Sequence, residues 1–157
     1  MASCLENLQV GAYERLRNHR EFVGVPVLNC RSGDIGSALE TWTMEPLGTC
    51  VTVLPPLLVR VRRDSARQWS TVVELRVRVL ENMLSKLGTR RALEVAECVH
   101  GVLSGMALPE SNFGGMLLPK GENPWSVREN FPESSRLEIE LFFEAQLFMR
   151  PHEGGVR

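Results

Sequence analysis

Two long stretches of the chain alternate apolar and polar residues with the period of a β-strand. From Trp69 to Asn82, the residues Trp69, Thr71, Val73, Leu75, Val77 and Val79 fall on one side, and Ser70, Val72, Glu74, Arg76 and Arg78 on the other. From Arg136 to Met149, the residues Leu137, Ile139, Leu141, Phe143, Ala145, Leu147 and Met149 alternate with Arg136, Glu138, Glu140, Phe142, Glu144 and Gln146. Successive side chains of a strand point to opposite faces, so each stretch predicts an extended ribbon with one buried side. The polar side of the first ribbon is largely basic and that of the second largely acidic. Phe142 and Phe148 interrupt the acidic side. Aromatic residues on an outer sheet face predict contact with another surface.

The rest of the pattern predicts the elements around these ribbons. Ser3 followed by Glu6 is a capping-box signature for a helix through about Asn18, with Leu5, Leu8, Ala12 and Leu16 on one stripe. Gly24 ends that segment, and Val25 to Asn29 reads as a short buried strand in which Pro26 belongs at an edge or at the first residue. Ser32 or Asp34 can cap a second helix from Ile35 to about Met44, stopped by Pro46 and Gly48. Cys50 to Leu54 reads as another buried strand, followed by an extended link at Pro55-Pro56. Leu57 to Arg63 alternates again, and Asp64 to Arg67 forms a hairpin loop into the Trp69 ribbon, making the two antiparallel neighbours. Thr89 is placed to cap the clearest helix, in which Ala92, Leu93, Val95, Ala96, Val99, Val102 and Leu103 recur at helical spacing and Gly105 follows as the terminating glycine. From about 106 to 132, Pro109, Gly114, Gly115, Pro119, Gly121, Pro124 and Pro132 predict a long loop without regular structure. The sum is one α+β domain over residues 1–150, a mainly antiparallel sheet with helices packed on one face, and a flexible C-terminal tail over 151–157.

Composition narrows the function classes. With 157 residues and 43% hydrophobic positions, the chain has enough apolar surface to fold as a single domain. A formal net charge of -1 gives no electrostatic reason to expect specific nucleic-acid binding. No apolar run approaches the length of a membrane-spanning helix, and Met1 to Glu6 lacks the basic and apolar regions of a signal peptide, so no membrane partner is expected. Cys4, Cys30, Cys50 and Cys98 are widely spaced and form no Cys-x-x-Cys pair, so they read as reduced thiols.

Candidate chemistry is sparse. Glu97 and His100 share a helix face, but no second pair completes the roughly four-ligand shell of a structural zinc site. Arg31 to Gly36 lies between a strand and a helix, yet it lacks a dinucleotide or P-loop glycine pattern and reads as an ordinary helix start. Glu138 and Glu140 share a strand face about 6–7 Å apart. A general acid there would need a raised pKa from burial or a close like charge. Ion pairing with Arg60, Arg62, Arg76 or Arg78 across the sheet is the simpler role, at roughly 0.2–1 kcal/mol per pair. No Gly-x-Ser-x-Gly elbow or local nucleophile-base set occurs. No catalytic residue, metal or cofactor is therefore assigned.

A family resemblance enters at this point. Val25-Pro26-Val27-Leu28 leading into Ser32 to Glu40, then Gly48 to Pro56, and Val77-Arg78-Val79-Leu80-Glu81-Asn82 before the helix at Ala92 to Glu97, resembles the bacteriophage tail terminator or tail-completion family of the Mu-like type. The resemblance covers roughly Leu5 to Leu103, and the final ribbon also fits. It implies a non-enzymatic virion protein, assembled in the host cytoplasm and located at the neck end of the tail. Such a protein forms a hexameric ring that caps the tail tube, stops its polymerisation and joins the tail to the head connector. The implied partners are further copies of the chain, the tail tube protein and a head-tail connector or neck protein. A cyclic ring needs a heterologous interface, one patch meeting a different patch on the neighbour. The candidate interface residues are Arg60, Arg62, Arg76 and Arg78 on the basic side, and Glu138, Glu140, Glu144 and Phe142 on the acidic side. The competing readings are another neck or tail-assembly subunit, a small soluble enzyme, and a nucleic-acid module built on the arginine hairpin.

Overall fold

The structure, a computed structural model, describes residues 3–30, 40, 48–65, 68–84, 90–108, 112–130 and 135–149. Helix α1 (Cys4–Arg17) opens with the expected capping box: Glu6 N donates to Ser3 Oγ at 3.1 Å, and Ser3 N donates to Glu6 Oε2 at 3.0 Å. A single 3-10 turn (Arg20–Phe22) leads through Gly24, at φ 80°, into strand β1 (Val27–Asn29). Strands β2 (Thr49–Val53), β3 (Leu57–Ser65) and β4 (Gln68–Asn82) follow. Helix α2 (Ala92–Leu103) comes next, and the chain then forms β5 (Phe113–Pro119), β6 (Trp125–Asn130) and β7 (Arg136–Met149).

These strands build one seven-stranded sheet around β4 and β7. The two ribbons pair antiparallel along their whole length, from Trp69 opposite Met149 to Asn82 opposite Arg136. The other edge of β4 is shared by β3 against its first half and β2 against its second half. Likewise, β7 carries β5 against its C-terminal half and β6 against its N-terminal half. Only β1 runs parallel to its neighbour, β2, which makes the sheet mainly antiparallel as expected.

One face of the sheet is the core. Val73, Leu75, Val77 and Val79 of β4 and Ile139, Leu141, Phe143, Ala145 and Leu147 of β7 are buried there under both described helices. Helix α1 contributes Leu8, Ala12 and Leu16, and α2 contributes Val95, Ala96, Val99 and Leu103. Their three-and-four spacing explains why these segments fold as helices against an apolar layer. Gln9 of α1 is buried too, and its Nε2 donates to Cys30 O at 2.6 Å and Asn29 Oδ1 at 2.7 Å, tying the helix to the end of β1. Arg15 Nε donates to Val102 O at 2.8 Å and ties α1 to α2.

Two expectations change. The loop expected over 106–132 holds β5 and β6. Its glycines and prolines are compatible with strands here because both strands lie against one partner and tolerate irregular pairing. In β5 the register breaks between Gly114 and Leu118, and Gly115 has φ 79°. A Cβ at Gly114 would lie 2.7 Å from the Phe148 ring, so any larger residue there would displace that ring. The second change concerns α2, whose N-cap position is Arg91 with no side-chain cap. Instead, Glu81, buried at the end of β4, accepts from Ala92 N at 3.5 Å and pairs with Arg91 at 3.0 Å, placing a carboxylate at the positive end of the helix. Thr89, expected as the cap, lies outside the described residues, as do most of the helix expected from Ile35 to Met44, the Arg31–Gly36 turn and the tail over 151–157.

Phe143 is the largest fully buried side chain among the described residues, at the centre of β7. Phe143→Ala is expected to lower unfolding free energy by about 3–5 kcal/mol. The exposed Leu93→Ala on α2 should change it by less than about 0.5 kcal/mol. Urea denaturation followed by circular dichroism separates the two.

Candidate functional site

The face of the sheet opposite the helices carries the charged residues. Cross-strand register places Arg78 opposite Glu140, Arg76 opposite Phe142 and Glu74 opposite Glu144. Cross-strand partners and their diagonal neighbours lie within reach of long side chains, and the ion pairs here run diagonally. Arg76 Nη1 is 3.5 Å from Glu140 Oε1, and Arg78 Nε is 3.2 Å from Glu138 Oε1. Arg78 also reaches Glu40, with Nη1 3.3 Å and 3.4 Å from its two carboxylate oxygens. Glu40 therefore lies over this face, and its side chain is only 3% exposed. The result is a run of alternating charges, Glu40–Arg78–Glu138 beside Arg76–Glu140, within one chain.

Below Glu40 lies a small apolar cluster of Cys50 and Leu80, both buried. Burial, and then the charge of Glu40, push the Cys50 thiol up to about 12. The thiol is therefore neutral at physiological pH and serves as a small apolar side chain. Thr52, opposite Arg78 in the neighbouring register, is also fully buried, and its hydroxyl has no hydrogen-bond partner among the described residues.

Toward the other end of the same face is a cavity of about 410 Å³, lined by Val59, Arg60, Val72, Glu74, Lys120 and Glu144. Glu74 and Glu144 face each other directly, an arrangement that costs energy between like charges. Lys120 offsets it: Nζ is 3.5 Å from Glu74 Oε2 and sits 5.3 Å above the centre of the Phe142 ring. With Glu122, which also lines it, the cavity combines three carboxylates, two cationic side chains and an apolar floor, with no nucleophile and base held together.

The structure brings Arg76, Arg78, Glu138, Glu140 and Phe142 into one patch, as the alternation implied, but pairs their charges inside the chain. Arg60 and Glu144 both line the cavity. Arg62, opposite Ser70, lies further toward the hairpin tip and is exposed. Glu40 and Lys120 were not identifiable from local sequence. Neither lies on an alternating ribbon, and each reaches the face from a distant segment. Phe142 and Phe148, expected as exposed aromatics, are half-buried beneath Lys120 and Gly114 respectively.

The remaining candidates have structural roles. His100 Nδ1 accepts a hydrogen bond from Trp125 Nε1 at 3.1 Å, which joins α2 to β6. Cys98 accepts from Arg90 Nη2 at 3.0 Å, and Arg90 also pairs with Glu94 at 2.8 Å and Glu21 at 3.7 Å. This group anchors the 3-10 turn to α2. Among the described residues no group of three or more His, Cys, Asp or Glu side chains is placed to hold a metal ion.

Comparison with known proteins bears on the fold. No family model matches the sequence, and no curated protein matches it. Among solved structures, the fold is similar to a chain from the virion of a native gene transfer agent (GTA) particle. The TM-score is 0.64 and the identity 19%, over 95% of this chain and 100% of that chain. The shared architecture therefore spans nearly the whole of both chains.

Two outcomes test this face. Arg78→Met leaves Glu40 buried without its cation and is expected to destabilise by about 3 kcal/mol, at the low end for a broken buried pair because Arg78 is itself 25% exposed. Adding Glu40→Gln should recover much of that loss in a urea titration. The raised Cys50 pKa predicts alkaline sensitivity. Its stabilising contribution is complete below the unfolded-state pKa of about 8.5 and is lost as pH rises toward the folded value, because only the unfolded thiol ionises in that interval. Stability should fall between those limits, and Cys50→Val should flatten that part of the profile.

Proposed function

We propose that this chain is a non-enzymatic structural subunit of a phage-like virion. More specifically, it is a tail terminator or tail-completion protein that caps the tail tube as a hexameric ring. The observation that carries the reading is the fold likeness to a chain of the GTA virion across nearly the full length of both chains. The motif resemblance over Leu5 to Leu103 points the same way from sequence.

The chemistry of the surface supports assembly over catalysis. Arg76, Arg78, Glu40, Glu138 and Glu140 of the outer face are ion-paired to one another, which stiffens a scaffold. Of the residues expected to form the interface, Arg60 and Arg62 stand exposed on strand β3. Arg76, Arg78, Glu138 and Glu140 hold the sheet face in one shape on which such contacts are built. In this role the ring stops tube polymerisation by occupying the growing end, and it offers its far side to the head connector or neck protein.

Native mass spectrometry and negative-stain electron microscopy of the purified chain, alone and with tail tube protein, test the proposal. The expected outcome is a closed ring, hexameric, seated at one end of the tubes. A chain that stays monomeric in both conditions and leaves tube length unchanged contradicts it.

A further inference from the structure

The strongest unexplained feature is strand β3. It is nine residues long and pairs with β4 along one edge; among the described residues no strand pairs its other edge. An edge strand presents a row of unpaired backbone N–H and C=O groups that invites another strand. Its side chains have the same character. Leu57, Leu58, Val59 and Val61 are between 44% and 57% exposed. Register puts Leu58 and Val61 on the helix side, opposite Val73 and Thr71, and Leu57 on the outer side, opposite Glu74. Apolar groups are therefore uncovered on both faces of one open edge. Arg60 and Arg62 between them discourage indiscriminate pairing without filling the edge.

A partner edge is present on the opposite side of the sheet. There, the outer edge of β5 is already closed by the segment before it. Gly105 N donates to Leu117 O at 2.8 Å, and Leu117 N donates to Met106 O at 2.9 Å. Strand β6 pairs only with β7, no strand covers its outer edge among the described residues, and its Val127 is 52% exposed. The strand directions fit as well. From β3 through β4 and β7 to β6, each step is antiparallel, so β3 and β6 run in opposite directions. A second copy rotated about a ring axis would present β6 antiparallel to β3 and continue the sheet. Strands β3 and β6 also lie against opposite halves of the β4–β7 ribbon, so successive copies join with a stagger along the strands. Closing a sheet on itself requires such a stagger.

We propose that the outer edge of β3 receives the β6 edge of a second copy of this chain, forming the heterologous contact that closes the ring. This rests on the ring reading above and names the surface that makes it. The contact is head-to-tail, because one copy's β3 meets its neighbour's β6, and such contacts close into rings when the rotation allows. It also moves the interface away from Arg76, Arg78, Glu138 and Glu140, whose charges are met within the chain.

The test places one carboxylate on each edge. Wild type, Val61→Glu, Val127→Glu and the control Leu93→Glu, which lies on the exposed side of α2, are compared by native mass spectrometry over a dilution series with tail tube protein present and absent. Circular dichroism checks that each is folded. The expected result is that Val61→Glu and Val127→Glu each raise the concentration needed for ring assembly by about tenfold or more, as losing about 1.4 kcal/mol at an interface implies, while Leu93→Glu assembles like wild type. Unchanged ring assembly by either edge variant overturns the β3–β6 contact and leaves the ring reading standing. A wild type that forms only a two-fold dimer also overturns the contact, because a dimer joined by two β3 edges needs no β6. A wild type that stays monomeric in both conditions overturns the ring reading itself.

Discussion

The pairing of β4 with β7 is the constraint on which the rest of the molecule depends. Every residue from Trp69 to Asn82 has a partner between Met149 and Arg136. A slip of one residue would turn Val73, Leu75, Val77 and Val79 away from the helices and bring Arg76 and Arg78 into the core. The apolar side thus sets the register, and the register in turn sets which charges meet on the outer face. Arg76 finds Glu140 and Arg78 finds Glu138 because the strands are locked by the Leu75, Val77, Ile139, Leu141 and Phe143 layer behind them.

The outer strands inherit their positions from this ribbon. Each long strand is twice the length a single neighbour covers, so β2 and β3 share one side and β5 and β6 the other. That division separates two regions of the outer face. At the β2 end, Glu40 closes over Cys50, Leu80 and Arg78, and the charges are paired and at least partly buried. At the β3 end, no described element covers the strand on either face, and the cavity between Glu74, Glu144 and Lys120 remains open. The helices stop short of the β3–β4 hairpin, where Trp69 stays exposed with the Arg63 guanidinium 5.7 Å above its ring.

Glu40, with its side chain 3% exposed, gives its pair with Arg78 much of the character of a buried one. Buried pairs contribute little net stability compared with apolar side chains of the same volume, yet removing one partner is costly. Their effect is to make one arrangement of Glu40, Arg78 and Glu138 far better than its alternatives.

Much of this architecture was legible in the residue pattern. Alternation identified β4 and β7 and the face each buries, Ser3 and Glu6 marked the start of α1, and the spacing of Val95, Ala96, Val99 and Leu103 marked α2. Those signals are local, because a period and a cap depend on neighbours within a turn or two of chain. Strands β5 and β6 were not legible. Gly114, Gly115 and Pro119 have weak strand preference, and the extended shape there comes from hydrogen bonding to β7, a partner many residues away. The same holds for the candidate site. The sequence by itself determined that one ribbon is basic and the other acidic. Whether those charges face a neighbour or each other was decided by the tertiary structure alone, because Coulomb attraction depends on distances that only strand register and the placement of Glu40 and Lys120 set.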